Sequence, residues 1–341
     1  MNVLHVTQPK SRVFQENHNL MVKLPDGSKR AVPYRQLAGL VLYPGTHLTD
    51  PAKRMLATSN IVILRVKKTG EIVSITHGYT KPNLNLFRQQ LSLETNPLLR
   101  LHLGQEIAYA KMRSQTGYLL LRESFARRRG RKIPQLIDAA RKIEALIGKL
   151  PRAESLNQLR GLEGQSSKIY FSALGEVLRL YGIPFKGRKY RPAPDKVNAA
   201  LSFGYYMLHN YVLIATTLVG LLPAPGIVHE DHTHNPYPLV YDLMEELRVA
   251  VVDATVIKLV LNNHIRAKQS SPSNHEVRLD DDERKRVIEG IVERLGEKFK
   301  DPHSEETLPL QRIIHQQASR LARAIEKESD YQPFYLLGRK P

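Results

Sequence analysis

Three side chains with acid or imidazole chemistry interrupt stretches that are otherwise apolar and helix-forming. They are Glu163 in LRGLEGQSSKIYFSAL, His229 directly after GLLPAPGIV, and Glu245 in LVYDLMEELR. A carboxylate on a buried helix face is costly unless a cation pairs with it. For Glu163 the plain alternative to a metal is an ion pair with Arg160 or Lys168. Its flanking Gly161 and Gly164 weaken the helix and are expected to admit a second backbone at close range. His229 sits at a helix exit, where a histidine is more often structural than a ligand. His232 and His234 follow, so HEDHTH has the composition of a metal-binding tract; loop histidines are commonly solvated, and these two rank below His229. Asp242, Glu245 and Glu246 stand at i, i+3 and i+4 and share one side of a helix. Their mutual repulsion is relieved by a bound cation. A solvated acidic face is the alternative, which the neighbouring LVY and LM disfavour. Arg248 is placed to pair with either glutamate or with a phosphate. Two carboxylates and one imidazole from separate helices suit Mg²⁺ or Mn²⁺, the imidazole favouring Mn²⁺.

The chain needs a partner for its charge as well. Its 341 residues carry 51 Lys and Arg against 33 Asp and Glu, a net charge of +18. Such a field attracts polyanions, and solubility alone requires far less. There is no cysteine, which excludes disulfides, thiolate nucleophiles and cysteine-ligated zinc, and suits a reducing cytoplasm. The first residues lack the apolar segment of a secretory signal. From Leu201 to Val228 no Lys, Arg, Asp or Glu occurs, long enough to raise a membrane span. Polar Asn210, Thr216 and Thr217, with Pro223 and Pro225 in the break that follows, point instead to a buried central helix. With no membrane expected, the positive charge points to nucleic acid and the reaction to a phosphodiester. Two basic runs are candidates for backbone contact: Arg127, Arg128, Arg129 and Arg131 in one, Lys186, Arg188 and Lys189 in KGRKYR in the other.

The elements that must position these residues change character near residue 82. Before it, short β-branched runs read as strands at Val3–Thr7, Leu20–Leu24, Ala31–Pro33, Gly39–Tyr43, Ile61–Val66 and Ile72–Ile75. Pro25-Asp26-Gly27 closes a hairpin, and Asp50 with Pro51 opens one short helix. After it, apolar residues recur at three- and four-residue spacing over Leu86–Leu93, Leu98–Leu121, Ile133–Leu150, Leu156–Tyr181, Val197–Gly220, Leu239–Asn262, Asp280–Lys298 and Leu308–Lys327. Ser155 with Gln158 resembles a capping box, and Asp280–Asp282 puts negative charge at a helix start. The expectation is an α+β chain: an N-terminal β domain at 1–82, an all-α domain with the chemistry at 83–330, and a partly ordered tail at 331–341.

Three blocks in order, LRGLEGQSSKIYFSAL, DKVNAALSFGYYML and GLLPAPGIVHEDHTHNPYPLVYDLMEELR, resemble the CRISPR-associated integrase family of spacer acquisition. Weaker matches extend the resemblance to both ends, at LPDGSKRAVP and at LPLQRIIHQQASRLARAI. The resemblance implies that Glu163, His229 and Glu245 hold a divalent metal, Mg²⁺ or Mn²⁺. Asp242 matches the neighbouring acid, behind the ligands or at a second metal. Asn198, Tyr205, Tyr241 and Arg248 match recurring positions open to DNA contact or site support. Leu222 stands where the family has aspartate, Leu247 where it has phenylalanine, and the His229-to-Asp242 interval is a residue longer. Implied partners are double-stranded DNA, from protospacer and repeat array, a second copy of the chain, and a small ferredoxin-like adaptation protein. The implied reaction is transesterification that inserts short duplexes. Two alternatives stay open: a transposon-borne integrase or repair nuclease with the same site, and a catalytically silent DNA-binding scaffold.

Overall fold

A computed structural model describes residues 2–190, 192–230, 236–267, 277–327 and 329–336. Strands dominate the first 76 residues: β1 Asn2–Val6, β2 Arg12–Glu16, β3 Asn19–Lys23, β4 Lys29–Val32, β5 Leu37–Leu42, β6 His47–Leu48, then α1 Asp50–Thr58, β7 Val62–Val66 and β8 Ile72–Thr76. They form two four-stranded sheets, ordered β1-β5-β7-β8 and β4-β3-β2-β6. The expected β3–β4 hairpin is present, with Gly27 at φ +87° and Asp26 Oδ1 accepting from the Ser28 amide at 2.9 Å. A second hairpin, β2–β3, was not anticipated. It turns on Asn17 and His18, both at positive φ, as a two-residue turn between twisted strands requires. Helix α1 starts one residue earlier than expected, with Thr49 rather than Asp50 at the N-cap and Asp50 inside the first turn, where its charge still favours the dipole.

Alternation along the strands explains how these sheets attach to the rest. Leu40, Leu42 and Ile63 face a small core with Val13, Leu20 and Leu56. Val41, Val62, Leu64 and Val66, one residue out of phase, face the large helical core. The first sheet is therefore apolar on both sides, and His5 of β1 reaches across the seam to the Tyr211 hydroxyl, Nε2 to O 3.1 Å.

The helices are α2 Leu84–Leu91, α3 Pro97–Arg128, α4 Pro134–Ile147, α5 Leu156–Arg179, α6 Lys196–Val219, α7 Pro238–Glu245, α8 Ala254–Leu261, α9 Asp281–Gly296 and α10 Leu310–Ile325. Their starts follow local chemistry: Asn83, Asn96, Ser155 and Asp195 each accept from the backbone amide three residues on, and Asp280 with Glu283 completes a capping box. Ser155 caps α5, but Gln158 reaches back to the Glu154 amide, one residue earlier than a capping box requires.

The uncharged stretch is the central helix α6, buried along most of its length and ended by Gly220 at φ +86°. Among the described residues no helix is long and apolar enough to cross a membrane. The helix expected over Leu239–Asn262 divides into α7, a π-helical turn at Arg248–Asp253 and α8. Such π turns often occur at functional sites. After α9 the chain forms a small hairpin, β9 Lys298–Lys300 with β10 Thr307–Pro309. Tyr331, Phe334 and Leu336 are buried against the helices. Their anchors include the Phe334 amide on Glu246, at 3.0 Å, and the Leu336 amide on Ser114, at 2.9 Å.

Candidate metal centre and nucleic-acid cavity

Glu163 from the first half of α5, His229 from the loop after α6, and Asp242 and Glu245 from α7 line one small pocket of about 10 Å³ with Lys111 of α3. The loop bearing His229 is held from both sides. Asp242, fully buried, accepts from the amides of Ile227 at 2.6 Å and His229 at 3.0 Å, and from His229 Nδ1 at 2.7 Å. Arg100 and Arg160 donate to the carbonyls of Ile227 and Val228, at 2.8 and 2.7 Å. A Cβ at Gly226 would stand 2.2 Å from the His229 carbonyl oxygen, so only glycine permits this fold-back. With Nδ1 engaged, the free imidazole nitrogen Nε2 lies 3.9 Å from Glu245 Oε1. A carboxylate behind a histidine in this way is the usual support for a metal-ligating imidazole.

The charges around the pocket are mutually sustaining. Lys111 touches Glu163 Oε1 and lies 2.7 Å from Glu245 Oε2, while Arg248 stands 2.9 Å from Glu245 Oε1. Burial opposes the charged forms of Lys111, Glu245 and His229, and their partners outweigh it. Lys111 is raised above the ordinary lysine value by Glu163 and Glu245. Glu245 is held below the usual carboxylate range by Arg248 and Lys111. His229 is raised by its bond to Asp242 and by the charges of Asp242 and Glu245. Among the described residues no three His, Asp or Glu close into an ion-binding group. The ammonium of Lys111 lies between two of the expected donors. The donor set fits a divalent cation in kind: two carboxylates and one oriented imidazole, already gathered around a positive charge.

Three readings from sequence need correction. Glu163 is partnered by Lys111, not by Arg160 or Lys168; Arg160 is occupied with Val228 and Glu230. Gly161 and Gly164 admit no second backbone, since a Cβ at either would meet nothing within 4 Å. Gly164 instead leaves room in an adjoining cavity. Nor do Asp242, Glu245 and Glu246 act together. Asp242 and Glu245 face the pocket, whereas Glu246 turns to the Tyr331 hydroxyl and the Phe334 amide. His232, His234 and Arg191 lie outside the described residues.

The adjoining cavity, about 740 Å³, is lined by Lys111, Lys168, Lys186, Arg188, Lys189 and Arg248, with Asp195 and Asp253 the acids. The second sequence block builds its wall. Asn198 accepts from the Lys189 amide at 2.8 Å and from Arg188 at 3.1 Å, and donates to the Gly187 carbonyl. Tyr205 donates to Asp253 at 2.6 Å, and Arg188 and Arg248 stack over its ring at 5.3 and 4.9 Å. Burial lifts the Asp253 carboxyl to about 6, against the hydrogen bonds from Tyr205 and Tyr170. Tyr241 packs its ring beside His209 and His229. The run Arg127–Arg131 is elsewhere, at the far end of α3: Arg127 pairs with Glu123, and Arg129 and Arg131 line a separate 290 Å³ hollow with Arg122 and Lys258. Arg128 is exposed there and lines neither cavity. Leu222 is held through its backbone by the buried Gln90 amide, at 2.6 and 2.9 Å.

Lys111 was missed from the sequence. Its signal was phase: Gly104, Ile107, Ala108, Lys111 and Gln115 fall on one buried stripe of α3, and a lysine in that stripe needs a partner.

A two-sheet β region set on a helical bundle, with carboxylates and an imidazole beside a basic cavity, defines a class of α+β proteins built to meet a polyanion. The family model described as CRISPR associated protein Cas1 matches residues 4–293. A CRISPR-associated endonuclease Cas1 of Thermus thermophilus is 32% identical over 338 residues, covering 98% of this chain and 99% of that protein. A casposase bound to integration product superposes with a TM-score of 0.78 at 20% identity, over all of this chain and 96% of the other. A chain of a Cas6-RT-Cas1–Cas2 complex gives 0.76 at 23% identity, this chain covering 36% of it. The protein belongs to the CRISPR-associated Cas1 family.

Proposed function

We propose that the protein is a divalent-metal-dependent DNA endonuclease and integrase that inserts short duplexes into a repeat array during spacer acquisition. The observation carrying this reading is the convergence of Glu163, His229 and Glu245 on a pocket that shares a wall, Lys111, with a basic cavity. Glu163, His229 and Glu245 would hold Mg²⁺ or Mn²⁺. When bound, the cation neutralises phosphoryl charge and activates the attacking or departing oxygen. Asp242 fixes the His229 ring so that Nε2 is presented. Lys168, Lys186, Lys189 and Arg248 take phosphate oxygens, giving affinity with little sequence preference and a steep salt dependence. Arg127, Arg128, Arg129 and Arg131 extend that footprint to the far end of α3.

In the joining step the 3′-hydroxyl oxygen of the captured strand attacks a phosphorus of the array. A new P–O bond forms, the P–O bond to the array's own 3′ oxygen breaks, and that strand leaves with a 3′-hydroxyl. Water in place of the hydroxyl gives cleavage. The number of phosphodiesters is conserved in joining, so no covalent enzyme intermediate is needed. The integration product held by the casposase, and the Cas1–Cas2 assembly, support joining and a small second protein as partner. We place dimerisation and partner contact on the β region at 1–82, the reaction in 83–330, and the protein in the cytoplasm.

The test is an integration assay with a short duplex bearing free 3′-hydroxyls and a supercoiled repeat plasmid, with Mg²⁺, Mn²⁺ or chelator. Joined product is expected only with metal and is expected to fall at least about 100-fold in Glu163→Ala and His229→Ala, as metal-ion chemistry is removed. Undiminished joining by those variants would refute the site; cleavage without joining would favour the nuclease reading.

A further inference from the structure

The small pocket and the basic cavity have one lining residue in common, Lys111. Its side chain is 9% exposed, and it lies between Glu163, 21% exposed, and Glu245, 5% exposed. Two carboxylates brought together in so dry a place repel each other and require a cation. In the metal-free protein the Lys111 ammonium is the cation in contact with both carboxylates, while Arg248 stands beside Glu245. With the ammonium in place the space left between these side chains is about 10 Å³, room for roughly one water-sized body and not for a hydrated divalent ion.

On its other side Lys111 borders a cavity of about 740 Å³ rich in lysine and arginine, into which Gly164 projects no side chain. Lysine suits a move between the two. Its charge is a compact ammonium on a four-carbon stem with freely rotating bonds, unlike the planar fork of arginine. We propose that Lys111 is a tethered counter-ion that holds the Glu163–Glu245 pair together without metal, and passes to a DNA phosphate in the adjoining cavity when a divalent ion enters. Metal and DNA backbone then bind with positive coupling, each tightening the other by the same factor. This rests on the assignment of Glu163, His229 and Glu245 to the metal.

The experiment titrates Mn²⁺ into the full-length protein, reading free Mn²⁺ by its electron paramagnetic resonance signal. It is run with and without a short duplex carrying 3′-dideoxy ends, which cannot join. For the wild type the duplex is expected to tighten Mn²⁺ binding roughly tenfold, within the usual range of coupling between sites. Lys111→Met, close in shape but uncharged, is expected to bind Mn²⁺ roughly tenfold more tightly without DNA and to lose most of the DNA dependence. Its melting temperature is expected to fall in chelator and to rise more than the wild type's on adding Mn²⁺. Equal or weaker Mn²⁺ binding by Lys111→Met overturns the proposal. So does a wild-type affinity indifferent to the duplex, a measurement that needs no variant. Glu163→Gln separates the two readings: if it binds Mn²⁺ as well as the wild type, the metal assignment itself fails. If it loses Mn²⁺ while Lys111→Met gains nothing, only the counter-ion role fails.

Discussion

Glu245 and Glu246 are neighbours at the end of α7, both buried, and they open onto opposite regions of the molecule. Glu245 faces Arg248, Lys111 and His229, so its charge is sustained in spite of burial. Glu246 faces the C-terminal segment, and among the described residues no cation pairs with it directly. Burial lifts its carboxyl to about 8, and the Tyr331 hydroxyl and Phe334 amide offset this only in part. One acid is kept ionised among cations, and the other is a polar peg on which residues 331–336 hang. A buried carboxylate is thus defined by its partners, not by its type or by the helix that carries it.

That contrast can be broken in three places, in decreasing order of effect. Asp242→Asn removes the carboxylate behind His229 on the Glu245 side. Metal affinity is expected to fall about 10- to 100-fold, the usual loss when such support is removed, with the fold intact by circular dichroism. An unchanged affinity would mean that Asp242 only pins the 227–229 loop. Glu246→Ala acts on the other side, leaving the Phe334 amide and the Tyr331 hydroxyl without their acceptor. A loss of about 1–3 kcal/mol in denaturant unfolding is expected, with Mn²⁺ affinity retained. Loss of metal binding there would show that the two sides are one unit.

The smallest effect tests the same rule on histidines. His229 has a carboxylate and is raised, whereas His5, at the β–α seam, meets the Tyr211 hydroxyl and is lowered by burial to about 4. Between that value and 6.5 the unfolded chain binds more protons than the folded one, so His5 lowers stability as pH falls from 6.5 toward 4 and has no such effect above it. His5→Gln is expected to flatten the melting temperature between pH 6.5 and 4.5; an unaltered slope would assign the effect to other groups.

How much of this was legible before folding depends on distance along the chain. The helices, the β3–β4 hairpin and the buried nature of α6 follow from local pattern, because periodicity and capping act within a few residues. The β2–β3 hairpin escaped notice because Asn17 and His18 lack the glycine that usually marks such a turn, and β2 is short and charged at both ends. The π turn at Arg248–Asp253 left no mark in the apolar spacing. At the site, Glu163, His229, Asp242 and Glu245 were visible as polar residues in apolar surroundings, and the ordered blocks singled them out.

The sequence by itself determined the α+β division, the family, and the residue types available for a cation and for phosphate. Tertiary structure alone decided which acid meets which partner: Lys111 reaches Glu163 across 52 positions, and the Phe334 amide reaches Glu246 across 88. Periodicity tells which face of a helix is buried, but the identity of the group opposite is set by packing between helices distant in sequence. In a dry pocket that opposite group determines whether a carboxylate keeps its charge.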